Sequence, residues 1–310
     1  MPKSKHRLKK ILKFGPIYAL TLLSLTGYTA ADTFLVSHSI ATVKASKTTS
    51  STAATVATNA TSTSTSYKDD NISITIKTET VNNTKVYVAD IVVSDSSYLK
   101  SALAQSTYGT NITETTSDQA EDVDAIFAIN GDYYGYRNDG YVIRNGTLYR
   151  STAGDEDVLG IDSNGNMASY DPSEYTAQEL IDKGIVQAYS FGPTLVENGK
   201  VVVSDSDEVG QSMSSNPRTA IGQVGENHYI AVVSDGRTSE SEGLSLSELA
   251  QVMVDNGATY AYNLDGGGSS TMVLNGKVIN NPVGGGAGNS TGSERAVSDI
   301  LYIGYKEQGS

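Results

Sequence analysis

Tyr260-Ala261-Tyr262-Asn263-Leu264-Asp265-Gly266-Gly267-Gly268-Ser269-Ser270-Thr271-Met272 sets a short apolar approach, a polar corner and a second apolar run in direct succession. The approach ends in Asn263 and Asp265, and the run beyond continues through Val273 and Leu274. That order predicts a strand, a tight corner and a second strand. Three consecutive residues without a Cβ let backbone N–H groups approach a bound group, and successive amides of this kind form a nest for anions. Asp265 stands at the mouth of that nest. The same composition also makes an ordinary flexible turn, so the choice rests on the surrounding chain.

Upstream, residues 229–234 form an apolar run, and Ser245-Leu246-Ser247-Glu248 is a capping box. Leu246, Leu249, Val252 and Met253 then share one helical face before Gly257, and residues 258–264 follow as the next strand. This β-α-β order predicts one crossover inside a sheet otherwise built of hairpins. The hairpins are signalled by Asn145-Gly146, Asn198-Gly199 and Asn275-Gly276, each between apolar runs, because both turn residues tolerate positive φ. Their irregular spacing argues against a repeat fold. Thr176-Ala177-Gln178-Glu179 opens a second helix that Gly184 closes, and a third is expected over 118–124. Ile72, Ile74 and Ile76 alternate as a strand does, whereas residues 125–129 are continuously apolar and should be buried on both faces. The expected fold is α+β: a mixed, largely antiparallel sheet with hairpins and a few packed helices, in a single domain.

The chain has no Cys, which excludes disulfides, thiolate metal sites and a Cys nucleophile. Of its three histidines, His6 and His38 lie in the N-terminal segment, leaving His228, so acid–base chemistry falls mainly to carboxylates. The net charge is −13, and it is unevenly divided. Residues 67–310 hold 14 Lys/Arg against 34 Asp/Glu, a net of −20. Such a body repels nucleic acid, and any phosphate it binds must be met by locally placed arginines or amides.

Residues 1–13 are basic and 14–36 largely apolar, the layout of an export signal. Thr29-Ala30-Ala31 offers small residues for cleavage, while Phe34, Leu35 and Val36 extend the apolar run almost to the length of a retained membrane anchor. The expected organisation is a signal peptide or anchor over 1–36, a disordered Ser/Thr/Ala-rich stalk over 37–66 and the folded domain over 67–310. Either reading of the leader puts the domain outside the cytoplasm, membrane-anchored or secreted.

Polar clusters recur where the expected strands end, and a rigid sheet fixes side chains there. Ala128-Ile129-Asn130-Gly131-Asp132-Tyr133-Tyr134, Phe191-Gly192-Pro193, Asn216-Pro217-Arg218-Thr219, Ser234-Asp235-Gly236-Arg237 and the segment from Asn263 to Ser270 follow one another, with Glu294-Arg295 and a terminal strand after them. In this order they resemble the phosphodiester glycosidase family, the domain of the enzyme that uncovers N-acetylglucosamine from a phosphodiester. The likeness runs from about Ile126 to Tyr305. One departure is Asp132, which takes a position where the family commonly has glycine and adds a carboxylate near the site.

The resemblance implies hydrolysis between an anomeric carbon and a phosphodiester oxygen, on a glycosyl phosphate polymer or oligosaccharide of an envelope or exopolysaccharide. Glycosidases usually meet the oxocarbenium-like transition state with two carboxylates. Asp265 is the first candidate, followed by Asp235, Asp132 and Glu294. Arg218, Arg237 and Arg295 would fork onto phosphate oxygens, aided by the amides of Gly266, Gly267 and Gly268. Asn130 and Asn263 would bind hydroxyls or an acetamido group, Tyr133 and Tyr134 would stack on the sugar, and Gly131, Gly192, Pro193, Ser269 and Ser270 complete the expected lining. No cofactor is expected. A different chemistry would place a divalent cation on Asp132, Asp235 and Asp265 and cut the P–O bond, although no spaced metal motif supports it. A non-catalytic module that binds wall glycopolymer would have the same composition.

Overall fold

The corner over residues 265–271 carries the chain from one sheet to another that packs against it. The computed structural model describes residues 4–42, 57–204, 215–284 and 291–308. Tyr260–Leu264 lies inside a nine-stranded sheet, and Met272–Leu274 inside a five-stranded one. Both strands feed a shared core, the first through Tyr260, Tyr262 and Leu264 and the second through Met272 and Leu274.

The nine-stranded sheet runs in the order Lys200–Val201, Thr194–Glu197, Tyr260–Leu264, Thr219–Gly225, His228–Ser234, Thr84–Val93, Ile72–Val81, Ser66–Lys68, Thr61–Ser62. Every neighbour pair in it is antiparallel. The expected crossover is present but joins strands that are not neighbours. His228–Ser234 and Tyr260–Leu264 run parallel to each other on either side of Thr219–Gly225, which is antiparallel to both. The α+β fold is therefore as expected, with the mixed character reduced to this one skipped pairing.

Two five-stranded sheets belong to the body as well, again with antiparallel neighbours. One is ordered Thr147–Arg150, Val142–Arg144, Ile185–Tyr189, Val158–Asp162, Met167–Tyr170; the other Lys277–Val278, Met272–Leu274, Phe127–Asn130, Asp299–Ile303, Leu99–Leu103. Residues from all three sheets fill the central core, among them Ile74, Tyr229 and Tyr262, Leu159 and Tyr189, and Phe127, Ile129 and Leu301. The outer faces are covered by helices. Leu246–Asp255 packs Leu246, Leu249 and Met253 on the nine-stranded sheet, Ala177–Asp182 packs Leu180 on the first smaller sheet, and Thr116–Asp122 packs Ala120 on the second.

The local signals act as their chemistry requires. Asn145-Gly146, Asn198-Gly199 and Asn275-Gly276 all have positive φ at both residues and connect paired strands. Thr176 and Ser245 both close reciprocal capping boxes. The helix expected over 118–124 starts earlier, at Thr116, because the Thr115 hydroxyl accepts from the Asp118 amide and caps it there.

Two expectations shift at the N-terminus. The leader forms a helix over Ser4–Phe34, a unit by itself, yet no helix among the described residues is long and apolar enough to cross a membrane. The membrane anchor is not supported. Ordered body structure also begins before Tyr67: Thr61–Ser62 pairs with Ser66–Lys68, and Thr58 and Asn59 donate to Asp70 at 2.7 and 3.0 Å. A hairpin that adds edge strands to a large sheet gains partners that composition does not reveal. Residues 43–56 of the expected stalk lie outside the described residues.

Candidate active site

Three strand ends meet at one edge of the large sheet. Thr219 pairs with Leu264 on one side and Val233 on the other, so the start of Thr219–Gly225 and the ends of His228–Ser234 and Tyr260–Leu264 coincide. Arg218, Asp235 and Asp265 therefore emerge together. Asn130 fastens this edge to the second smaller sheet. Its Nδ2 donates to Asp265 O at 2.7 Å and its Oδ1 accepts from Thr219 Oγ1 at 2.9 Å and the Thr271 amide at 3.2 Å. With both ends of the amide engaged, Asn130 is a structural staple; the sugar-binding role expected for it goes elsewhere.

A cavity of about 300 Å³ opens at this edge. Among the described residues that line it, four are arginines, Arg137, Arg218, Arg237 and Arg295, against two carboxylates, Asp265 and Glu156. Each glycine of the corner has a different arginine side chain near it. A Cβ on Gly266 would meet Arg218 Cδ at 3.9 Å, one on Gly267 would meet Arg237 Nη2 at 2.9 Å, and one on Gly268 would meet Arg295 Cδ at 3.5 Å. Backbone closes the space at Gly266 and Gly268, where a Cβ would lie 2.8 Å from Pro217 O and 3.0 Å from Gly284 Cα, and Arg237 crowds it at Gly267. The nest itself is smaller than expected, since Gly267 N–H donates to Pro217 O at 2.8 Å.

Asp265 is nearly buried and held on one oxygen. Its Oδ2 accepts from Ser269 Oγ at 2.6 Å and from Arg295 Nη2 at 2.9 Å, while Arg295 Nε also donates to Ser269 Oγ at 2.8 Å. Burial pushes its carboxyl above the usual carboxylate value, against the pull of Arg295 and Ser269. Arg237 is fixed by Asn216 Oδ1 at 3.1 Å, and Arg218 by Leu244 O at 2.8 Å. Arg137 lies between Tyr133 and Phe191, its guanidinium 5.7 and 5.1 Å from their ring centres. Asn263 donates to Gly192 O at 2.7 Å, and its Oδ1 is buried with no partner among the described residues.

The other carboxylate candidates are committed to structure. Asp132 accepts from the Tyr134 and Ser190 amides at 2.9 and 3.1 Å and pairs with the buried Arg144 at 3.0 Å. It borders Asp265 only in a minor cleft shared with Tyr133 and Ser269. Asp235 receives Tyr87 Oη at 3.2 Å and the Asn281 amide at 2.8 Å, bracing the sheet edge behind the cavity; burial raises its carboxyl. Glu294 accepts from the amide and hydroxyl of Ser117 at the start of the helix Thr116–Asp122, and does not line the cavity. Tyr134 is buried on Tyr108, its hydroxyl donating to Ser298 O, and Tyr133 stacks on Tyr136 with their ring centres 4.8 Å apart and does not line the cavity. Gly131 packs against Asp299, and Ser270 is buried with no described partner for its hydroxyl. Gly192 and Pro193 line the cavity as expected.

Four residues escaped the sequence reading. Arg137 stands three residues after Tyr134 of the Tyr-Tyr pair. Glu156 sits in the acidic run Asp155-Glu156-Asp157, which reads as a solvated loop. Arg144 and Asp299 form the buried ion pair that holds Asp132, with Arg144 Nη2 2.6 Å from Asp299 Oδ2 and its guanidinium 3.8 Å from the Tyr189 ring centre. Among the described residues no group of three His, Asp or Glu is placed to hold a metal ion.

A positively lined cavity with a pinned carboxylate, set on strand ends of an α+β body, has the charge to suit an anionic ligand. The chain belongs to the phosphodiester glycosidase family, whose model matches residues 123–304. A prophage-derived uncharacterized protein of Bacillus subtilis (strain 168), YomE, is 33% identical over 209 residues, covering 64% of this chain and 31% of YomE. The mouse N-acetylglucosamine-1-phosphodiester alpha-N-acetylglucosaminidase is 30% identical over 207 residues, 61% of this chain and 39% of the mouse protein. The chain thus spans well under half the length of these relatives. Among solved structures, the catalytic domain of the zebrafish enzyme of the same name, described as auto-inhibited by its pro-peptide, matches with a TM-score of 0.60 and 25% identity over 75% of this chain and 82% of that one. A hypothetical protein from Synechocystis shares the fold at a TM-score of 0.58 and 15% identity.

Proposed function

We propose that this chain hydrolyses glycosyl-1-phosphodiesters, breaking the bond between the anomeric carbon and the phosphate oxygen. The observation that carries this reading is the convergence of Arg218, Arg237 and Arg295 on one cavity with Asp265. A phosphodiester is a monoanion, and it leaves as a phosphomonoester dianion once the bond breaks. Preorganised guanidinium groups stabilise that growing charge more than the charge of the ground state, which is the condition for catalysis. A phosphate leaving group needs little protonation, so arginines can replace the acid of an ordinary glycosidase. Asp265, kept in orientation by Arg295 and Ser269, stabilises the cation developing on the sugar. Asn263 Oδ1, a buried acceptor with no partner among the described residues, suits a hydroxyl or acetamide N–H of the sugar.

The relatives' names favour N-acetylglucosamine as the sugar. The basic and apolar leader supports export, so the substrate is a glycosyl phosphate of an envelope or exopolysaccharide polymer, met outside the cytoplasm. Incubation of the full chain with a panel of N-acetylhexosamine-1-phosphodiesters, read by mass spectrometry, tests this. Equal amounts of free sugar and phosphomonoester are expected. Binding of these compounds without any release would instead make the protein a recognition module.

A further inference from the structure

We infer that Glu156 is the second carboxylate of the reaction, the base that takes a proton from the attacking water; this rests on the phosphodiester glycosidase reading above. Of the carboxylates weighed from the sequence, Asp132, Asp235 and Glu294 are held by Arg144, Tyr87 and Ser117. Among the described residues that leaves the cavity with two, Asp265 and Glu156. They enter from different parts of the fold. Asp265 ends a strand of the nine-stranded sheet, whereas Glu156 precedes Val158–Asp162 of a smaller sheet. Two carboxylates converging on one cavity from separate supports is the arrangement glycoside hydrolysis requires.

The surroundings of Glu156 differ from those of Asp265 in the way the two roles demand. Asp265 is nearly buried and has one oxygen fixed by Arg295 and Ser269. Glu156 is half-buried, and among the described residues no hydrogen bond or ion pair engages its carboxylate. A base must meet water and must not be neutralised by a protein cation. Its position is nonetheless constrained: Glu156 stands over Gly192, where a Cβ would lie 3.0 Å from Oε2. Gly192 has φ of +75° and its carbonyl accepts from Asn263, the residue two before Asp265. Glu156 and Arg137 also line an adjoining cavity of about 290 Å³, so they stand at the junction through which a substrate spanning both must pass.

The step balances without any other reactant. Water oxygen bonds to C1, the C1–O bond breaks with its electron pair going to the phosphate oxygen, and Glu156 receives the proton. The products are the free sugar, the phosphomonoester dianion and one proton, which Glu156 then releases to solvent.

The full chain carrying Glu156→Gln or Glu156→Ala is compared with the parent on the methyl phosphodiester of N-acetylglucosamine 1-phosphate, with and without sodium azide. Turnover should fall by about 10²–10⁴-fold with KM little changed, the usual contribution of general-base catalysis. Azide should restore consumption of substrate in the Glu156→Ala variant and yield a glycosyl azide, because azide attacks without needing a base. A Glu156→Gln variant within about threefold of an active parent, or a loss that azide does not relieve in Glu156→Ala, overturns the assignment. A parent that releases no sugar overturns the phosphodiester reading itself, and the inference falls with it.

Discussion

Arg237 Nη2 lies 2.9 Å from the point a Cβ on Gly267 would occupy, and Gly267 itself has φ of +62°. The arginine and the left-handed backbone thus disfavour a side chain at this position on two independent grounds. Gly267→Ala is expected to cost about 1 kcal/mol in stability, from a left-handed backbone that alanine tolerates poorly. Its larger effect should be on turnover, because the methyl displaces the guanidinium from the phosphate. Thermal unfolding and kcat/KM measured together check this; unchanged kcat/KM would separate Arg237 from the substrate.

Asp265 and Asp235 emerge from the same sheet edge but only Asp265 lines the cavity. Asp265→Asn should leave the fold intact and lower kcat by about 10²–10³-fold, the scale of losing one preorganised electrostatic contact. Asp235→Asn keeps an acceptor for the Asn281 amide and loses the one for Tyr87, so it should cost about 1 kcal/mol in stability and leave kcat within a few fold. The reverse ranking of the two in kcat would exchange their roles.

Arg144 serves two buried carboxylates at once, Asp132 and Asp299. Arg144→Met would leave both without their cation in a site that excludes water. The expected loss is about 3–5 kcal/mol, the cost of breaking a buried pair from one side. Denaturant unfolding reads this directly, and a variant as stable as the parent would show that the aspartates are neutral in the folded chain.

Burial pushes the Asp299 carboxyl up to about 7, with Asp132 adding to the shift and Arg144 opposing it. Between the ordinary carboxylate value and about 7 the unfolded chain gives up a proton that the folded chain keeps. The contribution of Asp299 to stability is therefore complete at low pH and is lost as pH rises through about 7. The melting temperature of Asp299→Asn relative to the parent should rise between pH 4 and pH 7. A difference that does not change with pH in this window would place Asp299 at an unshifted value.

The hairpins, both capping boxes and the corner were legible because each depends on a few adjacent residues with one conformational solution: positive φ at Asn-Gly, reciprocal bonds at Thr176 and Ser245, missing Cβ atoms at 266–268. Three arginines of the cavity, Arg218, Arg237 and Arg295, were legible through their neighbours Asn-Pro, Asp-Gly and the terminal strand, whereas Arg137 was not. What stayed hidden depends on distant pairing. Arg144 precedes a hairpin turn where a charge ordinarily faces water, and only Asp299, 155 residues later, explains its burial. Asp132 and Asp235 sit in motifs beside the site, and local sequence cannot tell a carboxylate that faces the cavity from one that braces its wall. Glu156 was hidden by its acidic neighbours, since a loop of three acids has no period that marks one of them as turned inward.

The most direct test of the central claim is turnover of an N-acetylglucosamine-1-phosphodiester in heavy-oxygen water, with the label located by mass spectrometry. Attack at the anomeric carbon, with the arginines holding phosphate as the leaving group, predicts the label in the free sugar and none in the phosphomonoester. Label in the phosphomonoester would mean that water attacks phosphorus, and would contradict the account.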